Sequence, residues 1–305
     1  MRKPLLFLFI VLANMVNAQP NKAYQNNRKT YNLKGNVRSI LEFNYKQYVP
    51  DSELTYYVTK RYYKFNAAGN CTELTTFLEH ESFQGRNVYQ YDEAGNNTEI
   101  IAYNEDSTLD YKVTYVFDEQ GNMIDFSNYG SSGNLKYRDQ RTYGPGLSFV
   151  KSRVGLTPPG STSTYRYTYD SRGRRTSENY YNDDETKLKR RTEWLYSGDT
   201  TRETEYNRFG ELSGTRLSVY DKNNRLIESK INAGYENMRE ILYKYDTFGN
   251  ELECIVKDSA GVDMKRSYQC EYKYDKTGNW IKRITYKADG TLKSSIERKI
   301  GYYLD

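Results

Sequence analysis

The stretch Tyr89-Gln90-Tyr91-Asp92-Glu93-Ala94-Gly95-Asn96 is an alternating aromatic strand that runs into a tight turn, and the chain repeats it with variations nearly to its end. The turn glycines fall at Gly69, Gly95, Gly121 and Gly173, with Tyr143-Gly144-Pro145-Gly146 midway across the widest gap. Later turns come at Gly198, Asn223-Asn224, Gly249 and Gly278, so the period is about 26 residues. A second, less regular turn signal divides each period, at Phe83 to Gly85, Glu105 to Ser107, and so on to Asp289-Gly290. Turn signals every 12–14 residues or so leave strands of roughly 8–10 residues and no room for crossover helices. No segment sustains a helical apolar period. The spacing predicts an all-β chain of about 18 antiparallel strands in tandem hairpins, forming one long twisted or spiralling sheet. A β-propeller, with two periods to a blade, is the alternative architecture.

The strand before each principal turn alternates cleanly. Val113, Tyr115 and Phe117 share a face, as do Tyr165, Tyr167 and Tyr169, and later Tyr268, Cys270, Tyr272 and Tyr274. Period-2 alternation puts rings on one face and Lys, Arg, Gln and Thr on the other. Composition agrees: 33 Tyr stand against 11 Phe and 2 Trp. Tyr suits a half-buried pleated surface, where the ring packs and the hydroxyl stays near water. Stacked hairpins are expected to set these rings side by side, each cross-strand pair adding about 0.2–1 kcal/mol in place of an aliphatic core.

Each principal turn has a defined chemistry. In Tyr-Asp-x-x-Gly-Asn the Asp carboxylate can accept backbone N–H groups further along the turn. The Gly supplies the left-handed conformation of a type I turn with a bulge. Asn224 stands at the Gly position of one turn, and Asn is the best non-Gly residue there. The pattern is carried by Tyr91-Asp92 with Gly95, Tyr169-Asp170 with Gly173, Tyr245-Asp246 with Gly249 and Tyr274-Asp275 with Gly278. Phe117-Asp118 with Gly121, Phe65-Asn66 with Gly69 and Tyr220-Asp221 are variants. It resembles the YD-repeat (RHS-like) family. That resemblance implies spiralling sheets of hairpins, in some members hollow shells around toxin domains, in others cell-surface adhesion proteins for which carbohydrate binding has been proposed. Here the period is longer, Gly-Asn commonly stands for Gly-Arg, and no Asp-Pro dipeptide occurs. A small exported bacterial-type relative is therefore expected, rather than a toxin shell.

The N-terminus reads as a secretory signal over 1–18: Arg2 and Lys3, an apolar run from Leu5 to Leu12, then small residues at Val16 and Ala18. That run is too short for a membrane helix, and no similar stretch follows. Residues 19–30, rich in Asn, Gln and Lys, are expected to be a flexible tether, and 31–305 the hairpin domain. A net charge of +5 spread over 45 basic and 40 acidic residues argues against a nucleic-acid binder, which concentrates its basic residues on one face. The odd set Cys71, Cys254 and Cys270 leaves at least one thiol unpaired; Cys254 and Cys270 flank one hairpin, so a bridge between them is open.

Chemistry is scarce. The single histidine, His80, lies between Glu79 and Glu81 with no nucleophile motif nearby. There is no paired-Cys spacing and no second His for a metal, and Asp106, Asp183-Asp184 and Asp289 sit where Asp commonly fixes turns. The Gly130-Ser131-Ser132-Gly133 run lacks the Lys and the helix of a phosphate loop. No catalytic, cofactor or metal residue is assigned. The expectation is a non-enzymatic, exported binding scaffold of the periplasm, cell surface or medium, with a glycan or a cell-surface protein as partner. Trp194 and Trp280 are the first rings to examine as a recognition surface. The alternative is a glycan-processing enzyme built on a pair of carboxylates.

Overall fold

The structure is a computed structural model that describes residues 26–47, 55–155, 161–182, 185–233 and 238–304. The signal segment 1–18, Asp183-Asp184 and most of the tether lie outside the described residues. The strands are β1 (Val37–Gln47), β2 (Thr55–Phe65), β3 (Cys71–Leu78), β4 (Phe83–Tyr91), β5 (Asn97–Tyr103), β6 (Leu109–Phe117) and β7 (Met123–Gly130). There follow β8 (Leu135–Tyr143), β9 (Phe149–Val154), β10 (Ser161–Tyr169), β11 (Arg175–Asn182), β12 (Leu188–Ser197), β13 (Thr200–Asn207) and β14 (Leu212–Tyr220). The last are β15 (Leu226–Asn232), β16 (Met238–Tyr245), β17 (Glu251–Asp258), β18 (Gly261–Val262), β19 (Tyr268–Tyr274), β20 (Trp280–Lys287) and β21 (Leu292–Tyr302). Each pairs antiparallel with the next in the chain, except that β18 is a two-residue flap on β17, and β17 goes on to pair with β19.

The all-β, antiparallel expectation holds, but the sheet is neither an open spiral nor a propeller. β1 pairs with β21 from Val37↔Tyr302 to Tyr45↔Ser295, so the ring closes. The chain is a closed barrel of one layer. Among the described residues the twenty strands other than β18, spaced about 4.8 Å apart, give a backbone diameter of at least roughly 30 Å. The sequence period specifies only pairing between consecutive strands, and local hairpins are the same in a spiral and in a ring. Closure is a contact between the two ends of the chain, for which a repeat offers no signal.

The turns form as their residues dictate. Asp92 N–H bonds the Asn96 carbonyl at 3.0 Å, Gly95 N–H bonds the Asp92 carbonyl at 3.0 Å, and the Asp92 carboxylate accepts the Asn96 N–H at 2.8 Å. At 118–122 the Asp118 carboxylate takes the N–H groups of both Gln120 and Asn122. The register slips by one residue beside each such turn, as between Gln90 and Tyr91, which is the expected bulge. Because consecutive strands alternate in direction, the described principal turns gather at one end of the barrel and the described irregular turns at the other.

Residues 26–36 establish which face points inward. Arg28 N–H bonds the Gly69 carbonyl at 2.8 Å, Leu33 N–H closes a turn onto the Arg28 carbonyl at 2.9 Å, and Asn32 Nδ2 reaches the Phe248 carbonyl at 3.2 Å. The turns 66–70 and 246–250 are separated by β1, β21, β20 and β19, roughly 24 Å along a flat sheet. One tight turn cannot cover that distance, so the sheet curves around this segment. Tyr31 packs edge-on to Tyr63 and Phe65, with centroids at 5.4 and 5.8 Å, so the ring-bearing face is the concave one. The rings line the lumen.

The rings meet from hairpin to hairpin only at isolated points, such as Phe126–Tyr137 at 5.6 Å and Phe248–Tyr274 at 4.5 Å, and not as the continuous ladder expected. Equivalent rungs are two strands apart, about 9.6 Å, beyond the range of ring contact. Several strands stack rings along their own length, as in Tyr165–Tyr167 and Tyr243–Tyr245 at 6.4 Å, and cross-strand pairs such as Tyr165–Tyr180 at 4.9 Å join them. Successive hairpins are joined through the hydroxyls. Tyr91 donates to the Cys71 carbonyl (2.6 Å), Tyr196 to Arg175 (2.8 Å), Tyr245 to Leu226 (2.8 Å) and Tyr272 to Glu251 (2.9 Å), and Tyr143 likewise to Met123. Each acceptor is the first residue of the strand that follows the preceding turn. A compact apolar cluster of Val37, Ile40, Tyr63, Phe65, Cys71 and Tyr89 sits at the seam where the ring closes.

Candidate lumenal binding wall

Cross-strand register places Trp194, Glu203, Arg216, Ile231 and Arg239 in one row across β12 to β16. Directly paired residues project from the same face, and Trp194 is in register with the rungs Tyr196 and Tyr220, so the row faces the lumen. It spans four inter-strand steps, about 19 Å. Trp194 Nε1 donates to Glu203 at 3.0 Å, which fixes the indole plane. Arg216 and Arg239 flank Ile231, are solvent-exposed, and have no ion-pair partner among the described residues. The adjoining row holds Thr201, Ser218 and Ser229, all buried and small, which leaves room above it.

Next to this row, on β10 and β11, the Arg175 guanidinium lies 4.5 Å from the Tyr167 ring and 5.5 Å from Trp194, and pairs with Glu178 at 3.1 Å. Burial, then the charge of Glu178, pushes the Tyr167 phenol well above its ordinary range. Burial, then Glu251, pushes Tyr245 up to about 12. These phenols are neutral hydroxyls at physiological pH, able to donate as well as accept. The wall therefore combines flat ring faces, fixed guanidinium forks and carboxylate acceptors along an extended concave surface.

Trp280, the other indole, lies under Arg298 at 3.4 Å and edge-on to Tyr272 at 6.1 Å, at the closure seam. There the Arg298 guanidinium meets Glu42 at 2.9 Å, both side chains nearly buried. Trp280 is thus part of the packed seam, and Trp194 of the open wall. The arginine pair Arg216 and Arg239 was not singled out in the sequence. Their signal was present: both fall on ladder parity, where rings were expected. His80 falls in the short 3-10 turn Glu79–Glu81. Glu203 and Glu205 share the lumenal face two residues apart, Glu203 bonded to Trp194 and Glu205 3.8 Å from Arg190. Asp106 and Asp289 cap their own turns through Thr108 and Thr291. Among the described residues no group of three His, Cys, Asp or Glu side chains could hold a metal ion. Cys71, Cys254 and Cys270 are all free and buried, so Cys254 and Cys270 are not bridged. Burial raises Cys71 to about 12 and Cys254 to about 11, far from a reactive thiolate.

The outward face is different in kind. Ion pairs lie mid-strand all round it, such as Arg138–Asp125 at 2.7 Å, Lys244–Glu253 at 2.6 Å and Lys282–Glu297 at 2.7 Å, with Lys112–Glu99 likewise. No helix among the described residues is long and apolar enough to cross a membrane.

No protein-family model matches the chain, and no curated protein sequence does, so the YD-repeat resemblance is not supported there. Among solved structures, a porin-like protein from Bacteroides uniformis is 11% identical over 87% of this chain and 98% of its own, with a TM-score of 0.36. A porin-like protein from Bacteroides vulgatus is 12% identical over 76% of this chain and 98% of its own, at 0.29. The TcdB2-TccC3-Cdc42 structure is 13% identical over 81% of this chain but only 15% of the matched chain, at 0.42. At these scores the likeness is one of loose strand architecture alone.

Proposed function

We propose that the chain is an exported, water-filled binding scaffold whose ring-lined lumen takes an extended ligand with flat apolar faces and many hydroxyls, an oligosaccharide being the natural fit. The observation that carries this is the row Trp194, Glu203, Arg216, Ile231, Arg239, a concave strip with ring, acceptor and donor in sequence. Rings stack on the apolar faces of sugars, and guanidinium and carboxylate groups bond their hydroxyls. The leader-like residues 1–18 support export, and an envelope or extracellular site agrees with it. The outward ion pairs favour a barrel that stands in water. A lipid-facing wall alternates apolar side chains outward, and each Lys or Arg at its midplane costs about 2–4 kcal/mol.

The test is a glycan array probed with the protein lacking residues 1–18, alongside the Trp194→Ala and Arg216→Ala/Arg239→Ala variants. Binding that both variants lose while keeping strand dichroism supports the reading. Silence across the array from a folded protein removes the carbohydrate ligand, and binding that survives in both variants moves it off this wall.

A further inference from the structure

At the mouth of the barrel, where residues 27–36 cross the 66–70 turn, lies a cavity of about 600 Å³ lined by Arg28, Lys29, Lys34, Asn27, Asn32 and Gly69 among others. We propose that this cavity is an oxyanion site that takes a phosphate or sulfate group. It stands apart from the lumenal wall and does not depend on the reading of that wall.

Three cations line the cavity and no carboxylate does. At two other principal turns the arginine that ends the turn is neutralised by the turn's own Asp. Arg174 pairs with Asp170 at 2.7 Å and Arg225 with Asp221 at 2.6 Å. At this turn the corresponding residue is Asn66, whose side-chain oxygen accepts the Asn70 N–H at 2.9 Å as an Asp would, but without charge. Asn70 holds the position that Arg174 and Arg225 hold in those turns, and Arg28 comes in from the N-terminal segment instead, its backbone N–H on the Gly69 carbonyl at 2.8 Å. It is fixed by neutral acceptors only: the carbonyls of Gly35 and Ala67 and the Asn36 side chain. Lys34 Nζ bonds the Asn32 side chain at 2.7 Å, again a neutral group, and the Lys29 ammonium has no partner among the described residues.

The guanidinium is therefore held in position with its charge unspent, and most of the ammonium donors remain free. The carboxylates of neighbouring principal turns are engaged within their own surroundings: in the adjoining turn Asp92 accepts the Asn96 N–H at 2.8 Å and the Asn96 side chain at 2.9 Å. Asp246 accepts from Asn250 and Tyr274, and Asp275 from Tyr302 and the Asn279 N–H. A tetrahedral oxyanion offers several strong acceptors to a fork and point charges arranged in this way. Because the cavity is open to water, the attraction weakens with ionic strength.

The probe is inorganic phosphate, and separately sulfate, titrated calorimetrically into the protein lacking residues 1–18 at ionic strength held constant with chloride. The expected result is saturable binding at one site, weakened at least tenfold in Lys29→Gln/Lys34→Gln and unchanged in Lys244→Gln on the outer wall. Should the double variant fail to fold, Lys29→Gln alone gives the reading, since it keeps the Lys29 carbonyl that accepts the Asn32 N–H, and the Lys29 side chain has no hydrogen-bond or ion-pair partner among the described residues. Heats no larger than those of chloride, or equal affinity in the variant, would overturn the proposal. Phosphatidylglycerol vesicles separate the sources. Co-sedimentation that free phosphate competes away and the variant loses assigns a lipid headgroup, whereas phosphate binding without co-sedimentation assigns a soluble phosphoryl ligand. Trp194→Ala leaves phosphate binding intact, which keeps this test separate from that of the lumen.

Discussion

Gly249 has φ +88°, and a Cβ built on it would meet nothing closer than 3.9 Å. Space is not the constraint there; backbone conformation is. The same turn position is held by Asn224 at φ 59°, so the barrel already contains its own control. Gly249→Val should lower stability by about 1–2 kcal/mol, the cost of forcing a residue with a Cβ into the left-handed region, and more if β-branching adds strain. Gly249→Asn should cost a few tenths. Thermal or denaturant unfolding of the two variants checks this, and equal effects would refute the turn assignment. This much was legible in the chain, because Asp, Gly and Asn at fixed offsets act within one turn and need no partner elsewhere. The Asp118 and Asp170 carboxylates confirm it by capping the N–H groups that the spacing indicated.

Between hairpins, the coupling is a phenol hydroxyl that reaches the first carbonyl of the strand after the preceding turn. Parity alone showed which residues share the ring face, but not that the link is polar, since Tyr and Phe are equivalent in a pattern of apolar positions. Phe117 makes the difference visible. It occupies a rung position, and Asn97, which stands where Cys71 and Met123 stand in the neighbouring hairpins, is 2% exposed with both side-chain polar atoms unpartnered. Phe117→Tyr should supply the missing hydroxyl and raise stability by about 0.5–1.5 kcal/mol, the net worth of one hydrogen bond. Tyr245→Phe removes the 2.8 Å bond to Leu226 and should cost a similar amount. Denaturant midpoints at unchanged slope would read both changes. A Phe117→Tyr protein no more stable than the parent would show that the rung hydroxyls are bystanders and that ring packing alone joins the hairpins.

At the scale of the molecule, the repeat accounts for pairing between consecutive strands but leaves the closing contact, β1 with β21, to side chains far apart in sequence. Glu42 and Arg298 meet there at 2.9 Å with side-chain exposures of 7% and 10%. Removing one member of a buried pair strands the other, so Glu42→Gln should cost roughly 3–5 kcal/mol, several times the effect of cutting an outward pair such as Lys244–Glu253. No local motif marks Glu42 or Arg298, which is why closure could not be read from the period. The lumenal phenols, Tyr63 beside the seam and Tyr245 on β16, give a pH dependence. Burial, followed by the charge of Glu42, raises the Tyr63 phenol to about 12, and burial raises Tyr245 to about 12, against an ordinary value near 10. A raised phenol favours the neutral form in the folded barrel. The stabilisation is complete below about pH 10 and is lost as pH climbs from there toward 12. Stability should therefore hold from neutral pH to about 10 and then fall steeply. Because these rings line a single closed wall, phenolate absorbance and loss of strand dichroism should rise together in one transition. Phenols that ionise near pH 10 while the strand signal stays intact would mean that the rings face water in an opened sheet, and the closed, ring-lined lumen would have to be abandoned.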